Sequence, residues 1–179
     1  MKTTPVPLIR RLAAYIVDWY LAAVLCGAPL LLVNSMRTGS TAADTSIPPG
    51  ASGWLWGIVA ILIGMAYYWL LPLVWHGQTP GKRLMHLRIV GAAGELPAAG
   101  ALFLRQAIGI LLIEGAVAFP SQLLRELLAR AAGDSAANIV RIVMVAATLV
   151  SIGLGMYTPD RRMLHDRISG TREVLERKD

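Results

Sequence analysis

Apolar residues in this chain gather into four long runs, at about 12–33, 54–75, 101–119 and 139–157. A hydrocarbon core of about 30 Å takes roughly 17 to 25 helical residues to cross, so each run is long enough. Lipid offers no partners for open backbone groups, which requires such crossings to be helical. The pattern predicts an all-α polytopic membrane protein, a four-helix transmembrane bundle built as a single domain over residues 1–179. Trp54, Trp56, Tyr67, Tyr68, Trp69 and Trp75 gather toward the ends of the second run, as an interfacial aromatic belt does. The first outer connector, "NSMRTGSTAADTSIPPGASG", is rich in Ser, Thr, Gly and Pro and reads as irregular. The second, "SQLLRELLARAAGDSAAN", reads as a short helix capped by Ser121, with Leu123, Leu124, Leu127 and Leu128 on one apolar stripe. That helix can lie on the outer leaflet or pack over the bundle.

Composition agrees with the pattern: 55% of the 179 residues are hydrophobic and 16% charged, outside the usual range of a soluble domain. The net charge of +6 does not point to nucleic acid, because Lys and Arg cluster at the ends of the apolar runs. Thirteen of the seventeen lie in the N-terminus, in the central connector with the foot of the third run, or in the tail. The other connectors and the fourth run hold only Arg37, Arg125, Arg130 and Arg141. By the positive-inside rule both termini and the central connector are expected in the cytoplasm. The first run resembles a secretory signal, but Asp18 interrupts it and Ala23, Val24 and Leu25 make a poor cleavage box before Cys26, so it reads as a retained span. Cys26 has no second cysteine to pair with.

The central connector, "GQTPGKRLMHLRIV", opens with Thr79 as an N-cap and Pro80 at the first helical position. Leu84, Met85, Leu87 and Ile89 then alternate with Lys82, Arg83 and Arg88, the composition of a basic amphipathic segment in a headgroup layer. Arg10, Lys82, Arg83 and Arg88 are the lipid headgroup candidates; a basic loop that only fixes topology is the alternative. Gly77, Gly81 and Lys82 look like a phosphate-binding loop, but the glycine spacing, the missing Ser or Thr after Lys82 and the missing strand exclude it. In the tail, "RRMLHDRISGT" brings His165 next to Asp166. One His beside one Asp is too few ligands for a metal, and no nucleophile has a matching base. No cofactor and no enzymatic activity are expected.

Three segments together resemble the RDD family of bacterial membrane proteins, named for one arginine and two aspartates. They are "RRLAAYIVDW" in the first run, "WHGQTPGKRLMHLRIV" after the second with "LFLRQ" opening the third, and "RRMLHDRISGT" after the fourth. The family's arginine falls on Arg11, with Arg10 as its substitute; its first aspartate falls on Asp18, and its second on Asp166, with Asp160 close by. The resemblance implies a small multi-pass protein of the bacterial cytoplasmic membrane with a role in moving an ion or small ligand, sodium/proton exchange among them.

A carboxylate in mid-span costs about 2.5 to 3.5 kcal/mol on insertion scales and needs a partner or water. Arg11 and Asp18 share a helix face, but both side chains lean toward the helix N-terminus, so Arg11 is expected to meet lipid phosphate or Asp166. Arg105 enters the membrane from the same side and is the expected partner of Asp18. Glu114 and Arg141 are expected to form an outer pair. These residues fit either of two roles: stations of an ion carrier, which at this size calls for a homodimer, or ion pairs holding a non-transporting scaffold that docks a companion membrane protein or anionic lipid.

Overall fold

The computed structural model describes residues 6–176; Lys2, Arg177 and Lys178, which entered the charge count above, lie outside them. The chain is mostly helical. Helix α1 covers Leu8–Thr38 and is closed by Gly39 in the left-handed conformation, whose N–H donates to the Ser35 carbonyl. Helix α2 covers Ala51–Val74 and contains a wide turn at Ala66–Leu70, where the Leu71 N–H reaches back five residues to Ala66. That π turn brings Tyr67 and Tyr68, neighbours in sequence, into the interior together, their rings edge to face at 5.1 Å.

Helix α3, Pro80–Leu84, starts where expected: Thr79 caps it and Pro80 occupies its first turn. Strand β1, Leu87–Gly91, follows. Helix α4 covers Ala99–Ile113 and is π-wound from Leu104 onward; α5 covers Phe119–Ala132, α6 Asp134–Tyr157 and α7 Leu164–Ile168. Strand β2, Thr171–Leu175, pairs antiparallel with β1, from Leu87 opposite Leu175 to Gly91 opposite Thr171. This antiparallel pair, with α3 and α7, caps one end of the molecule, here the sheet end.

The fold is mostly helical, as expected, with one two-stranded sheet added to it. The alternation of Leu87 and Ile89 with Arg88 is the period of a strand rather than of an amphipathic helix, and both apolar side chains are fully buried. Among the described residues three helices, α1, α2 and α6, are long and apolar enough to cross a membrane. The expected span at 101–119 is not one helix. The chain leaves helical geometry at Glu114 and resumes it at Phe119, because Pro120 fixes its own backbone and has no N–H to continue the ladder. Pro120 instead sits in the first turn of α5 with Ala118 at the N-cap, and Ser121, expected as the cap, donates to the Leu111 carbonyl at 2.7 Å.

Of the two placements open to α5, the structure has it packed on the bundle. Leu123 and Leu127 join Cys26, Leu30, Ile47 and Ala60 in one core cluster. Small residues on α2 permit the approach: a Cβ on Gly64 would stand 2.4 Å from Pro120 and 2.9 Å from the Cys26 sulfur. The irregular connector after α1 is tied down by Asn34, which donates to the Asp44 and Ser46 carbonyls, and by Arg130, which donates to those of Ile47 and Pro48. Helix α6 buries only Met144, Ser151 and Gly155 and leaves most of its apolar side chains exposed, as a lipid-facing helix does.

Candidate functional site

The sheet end holds three polar clusters. In the first, Arg11 of α1 and Arg105 of α4 converge on Asp166 of α7 and Glu173 of β2. Arg11 donates to Asp166 at 2.7 Å and to Glu173 at 2.6 Å, and its third contact is the Arg161 carbonyl. Arg105, fully buried, pairs with both carboxylates and with the Thr171 hydroxyl. Lys82 of α3 adds a third cation, 3.2 Å from Glu173. Geometry explains the convergence: side chains of α1 and α4 lean toward their helix N-termini, and both N-termini lie at the sheet end. Arg11 thus meets Asp166, one of the two partners expected of it. Asp166 is buried, while Asp160 is exposed and pairs with Arg167.

Burial alone pushes both carboxyls of the cluster up. Around Asp166 the charges of Arg105, His165 and Arg11 outweigh it and hold the group well below the ordinary carboxylate range. Lys82, Arg11 and Arg105 do the same for Glu173. Two fully ionised acids among three cations follow.

The second cluster surrounds Asp18, which is 2% exposed. One carboxylate oxygen accepts from the Tyr67 hydroxyl at 2.8 Å and from the Gly81 N–H at 2.8 Å. The other accepts from the Thr79 hydroxyl, which in turn accepts from the Lys82 N–H. The expected Asp18–Arg105 pair does not form. Helix α3 folds back against α1 and puts Thr79 and Gly81 on the carboxylate, while Arg105 is taken by Asp166 and Glu173. Glycine is required for this approach: a Cβ at position 81 would lie 2.2 Å from the Ala14 carbonyl oxygen and 2.9 Å from the Asp18 carboxyl carbon. Among the described residues no cation lies within salt-bridge distance of Asp18.

In the third cluster Glu114 accepts from the His165 backbone N–H at 2.7 Å and sits 2.9 Å from its ring Nδ1. The expected Glu114–Arg141 pair is absent. Because α4 stops at Ile113, Glu114 turns toward α7, and its carbonyl meets Thr148 of α6 at 2.9 Å. Arg141 lies seven residues before Thr148, about 10.5 Å nearer the start of α6, and is exposed.

Two of the four headgroup candidates are also otherwise engaged: Lys82 is buried on Glu173, and Arg88 pairs with Glu176. Arg10 and Arg83 are exposed. Sequence reasoning did not reach Glu173, Thr171 or the roles of Tyr67, Thr79 and Gly81 around Asp18. The only signal for Glu173 is the strand-like "TREVL" that carries it, whose partner lies more than eighty residues away. Among the described residues no three His, Cys, Asp or Glu side chains are grouped to hold a metal ion.

No curated protein and no solved structure matches the chain. A family model described as the RDD family matches residues 5–170, a stretch that contains Arg11, Asp18 and Asp166, and the chain belongs to that family.

Proposed function

We propose that this protein is a carrier of protons or a small cation in the bacterial cytoplasmic membrane, with Asp18 as its exchanging carboxylate. One observation carries the reading: a carboxylate buried within an apolar helix is held by two hydroxyls and one N–H, with no cationic partner among the described residues. Hydroxyl groups both donate and accept. When a cation or proton occupies the carboxylate, Tyr67 and Thr79 can rotate their hydrogens away and present oxygen lone pairs, whereas an arginine partner could not. Intramembrane acids of this kind mark ion pathways.

In this reading α4 and α5 together make a fourth crossing, interrupted at 114–118, and the sheet end faces the cytoplasm, where the positive-inside rule puts its arginines. Interrupted helices are where secondary carriers hold their ions, and Glu114 at the break is a second acid. The working unit is a homodimer, since one chain with four crossings and no internal repeat is small for a carrier. Sodium or proton flux in reconstituted vesicles tests the proposal: wild type conducts and Asp18→Asn does not, at equal folded yield.

A second reading, a non-enzymatic scaffold that docks a companion membrane protein, is favoured by the first cluster, where the family's arginine and second aspartate bind each other. Absence of flux from folded wild type supports that alternative and removes the first.

A further inference from the structure

We infer that the groove beside α3 binds one anionic phospholipid, its phosphate on Arg83 and an acyl chain against Trp75 and Leu84. The groove is a wide, open depression of about 490 Å³ lined by Trp75, Pro80, Arg83, Leu84 and His86. It opens one residue beyond the end of α2 at Val74. Leu70, Leu73 and Val74, all exposed, lead along α2 to it, so the groove continues a surface already suited to lipid. The inference needs only that α2 lies in a membrane, not that Asp18 exchanges ions.

Two features of α3 shape the site. Its inner side is fixed, with Gly81 against the Ala14 backbone and Lys82 on Glu173, so Arg83 and Leu84 face outward. Leu84 is 62% exposed. An exposed leucine beside an arginine, at the end of an apolar helix, matches the boundary between acyl chains and headgroups.

Charge then singles out Arg83. Lys82 and Arg88 of the same segment spend their charges on Glu173 and Glu176. Among the described residues the Arg83 guanidinium has no hydrogen bond or ion pair; it lies over the Trp75 ring, 5.4 Å from its centroid. A cation–π contact uses none of the N–H groups in hydrogen bonding, so the guanidinium edge stays available. A phosphate monoanion is the acceptor that edge fits, two oxygens to two N–H groups. His86, exposed at the rim with a left-handed backbone (φ 55°), adds a donor. Trp75, Pro80 and Leu84 give an apolar lining that a soluble phosphate would not cover and an acyl chain would.

The test uses the full-length protein, stripped of lipid in detergent and offered phosphatidylglycerol and phosphatidylcholine of equal chain length, with retention read by native mass spectrometry. Wild type retains phosphatidylglycerol in preference. Arg83→Gln lowers that preference about five-fold, the effect of one arginine at an anionic surface. Leu84→Asn lowers retention of both lipids and leaves the preference in place. Arg37→Gln, at the opposite end of the molecule, changes neither. Arg83→Lys keeps the charge without the planar fork and falls between wild type and Arg83→Gln, which gives a reading even if the glutamine variant folds poorly. Wild-type preference in both Arg83 variants overturns the site. Displacement of phosphatidylglycerol by an equal concentration of glycerol 3-phosphate assigns the groove to soluble phosphates and overturns the lipid.

Discussion

Among individual residues, the decisive difference is between an acid that has cations and one that does not. Asp166 and Glu173 are each held by at least two positive side chains, whereas among the described residues Asp18 is held by neutral donors only. Breaking one member of a buried ion pair typically costs about 3 to 5 kcal/mol, because the other is left charged and dry. Arg105→Gln is therefore expected to lower the apparent melting temperature of the purified protein sharply, and Asp166→Asn likewise. In the double variant the losses should be far from additive, since each single change removes the same contact; simple addition would show the two residues to be independent. Gly81→Ala tests the other cluster. Its new methyl must displace the Ala14 carbonyl or the Asp18 carboxylate, a strain of about 1 to 3 kcal/mol, and thermal denaturation should show a loss of that size.

At the level of elements, the helices were legible in the sequence where apolarity alone defines them. α1, α2 and α6 appear close to their expected ranges because a membrane crossing leaves its mark in every residue of the run. The cap of α3 was legible as well, since Thr79 and Pro80 act on their immediate neighbours. Two things were not. The break between α4 and α5 was hidden because Gly115, Ala116, Val117 and Ala118 are as apolar as a span, and only Pro120 hints that the helix restarts. The β1–β2 pair was hidden because each strand is five residues long and finds its partner across most of the chain. That second omission explains the misplaced Arg105–Asp18 pair, since without β2 there was no Glu173 for Arg105 to meet, whereas the break after α4 explains the missing Glu114–Arg141 pair. Truncation after Gly170 removes β2 and with it the shared partner of Arg11, Lys82 and Arg105. It should reduce folded yield more than Glu173→Gln, which keeps the strand, and equal yields would mean that the charge alone matters.

For the whole molecule, these contacts tie three elements distant in sequence, α1, α3 and α4, to α7 and β2 at one end, so the stability of the assembly should follow the ionisation of two acids. Both Asp166 and Glu173 sit below their ordinary values in the folded protein, whereas in the unfolded chain they return to about 3.9 and 4.3. Over the interval between, the unfolded state binds more protons, so stability rises with pH. The contribution of the cluster is thus complete above about pH 5 and drains away as pH falls through the unfolded values toward the folded ones. The apparent melting temperature in detergent should stay level from pH 7 to about 5 and then fall steeply. The Asp166→Asn/Glu173→Gln variant, which starts lower, has no such acids to protonate and should show a much flatter acid limb. A wild type and variant that fall in parallel below pH 5 would locate the acid sensitivity elsewhere. High salt provides a second discriminant: surface pairs such as Arg167–Asp160 weaken as salt rises, whereas a buried cluster is screened far less. The difference between the two acid limbs should therefore persist at about 1 M salt.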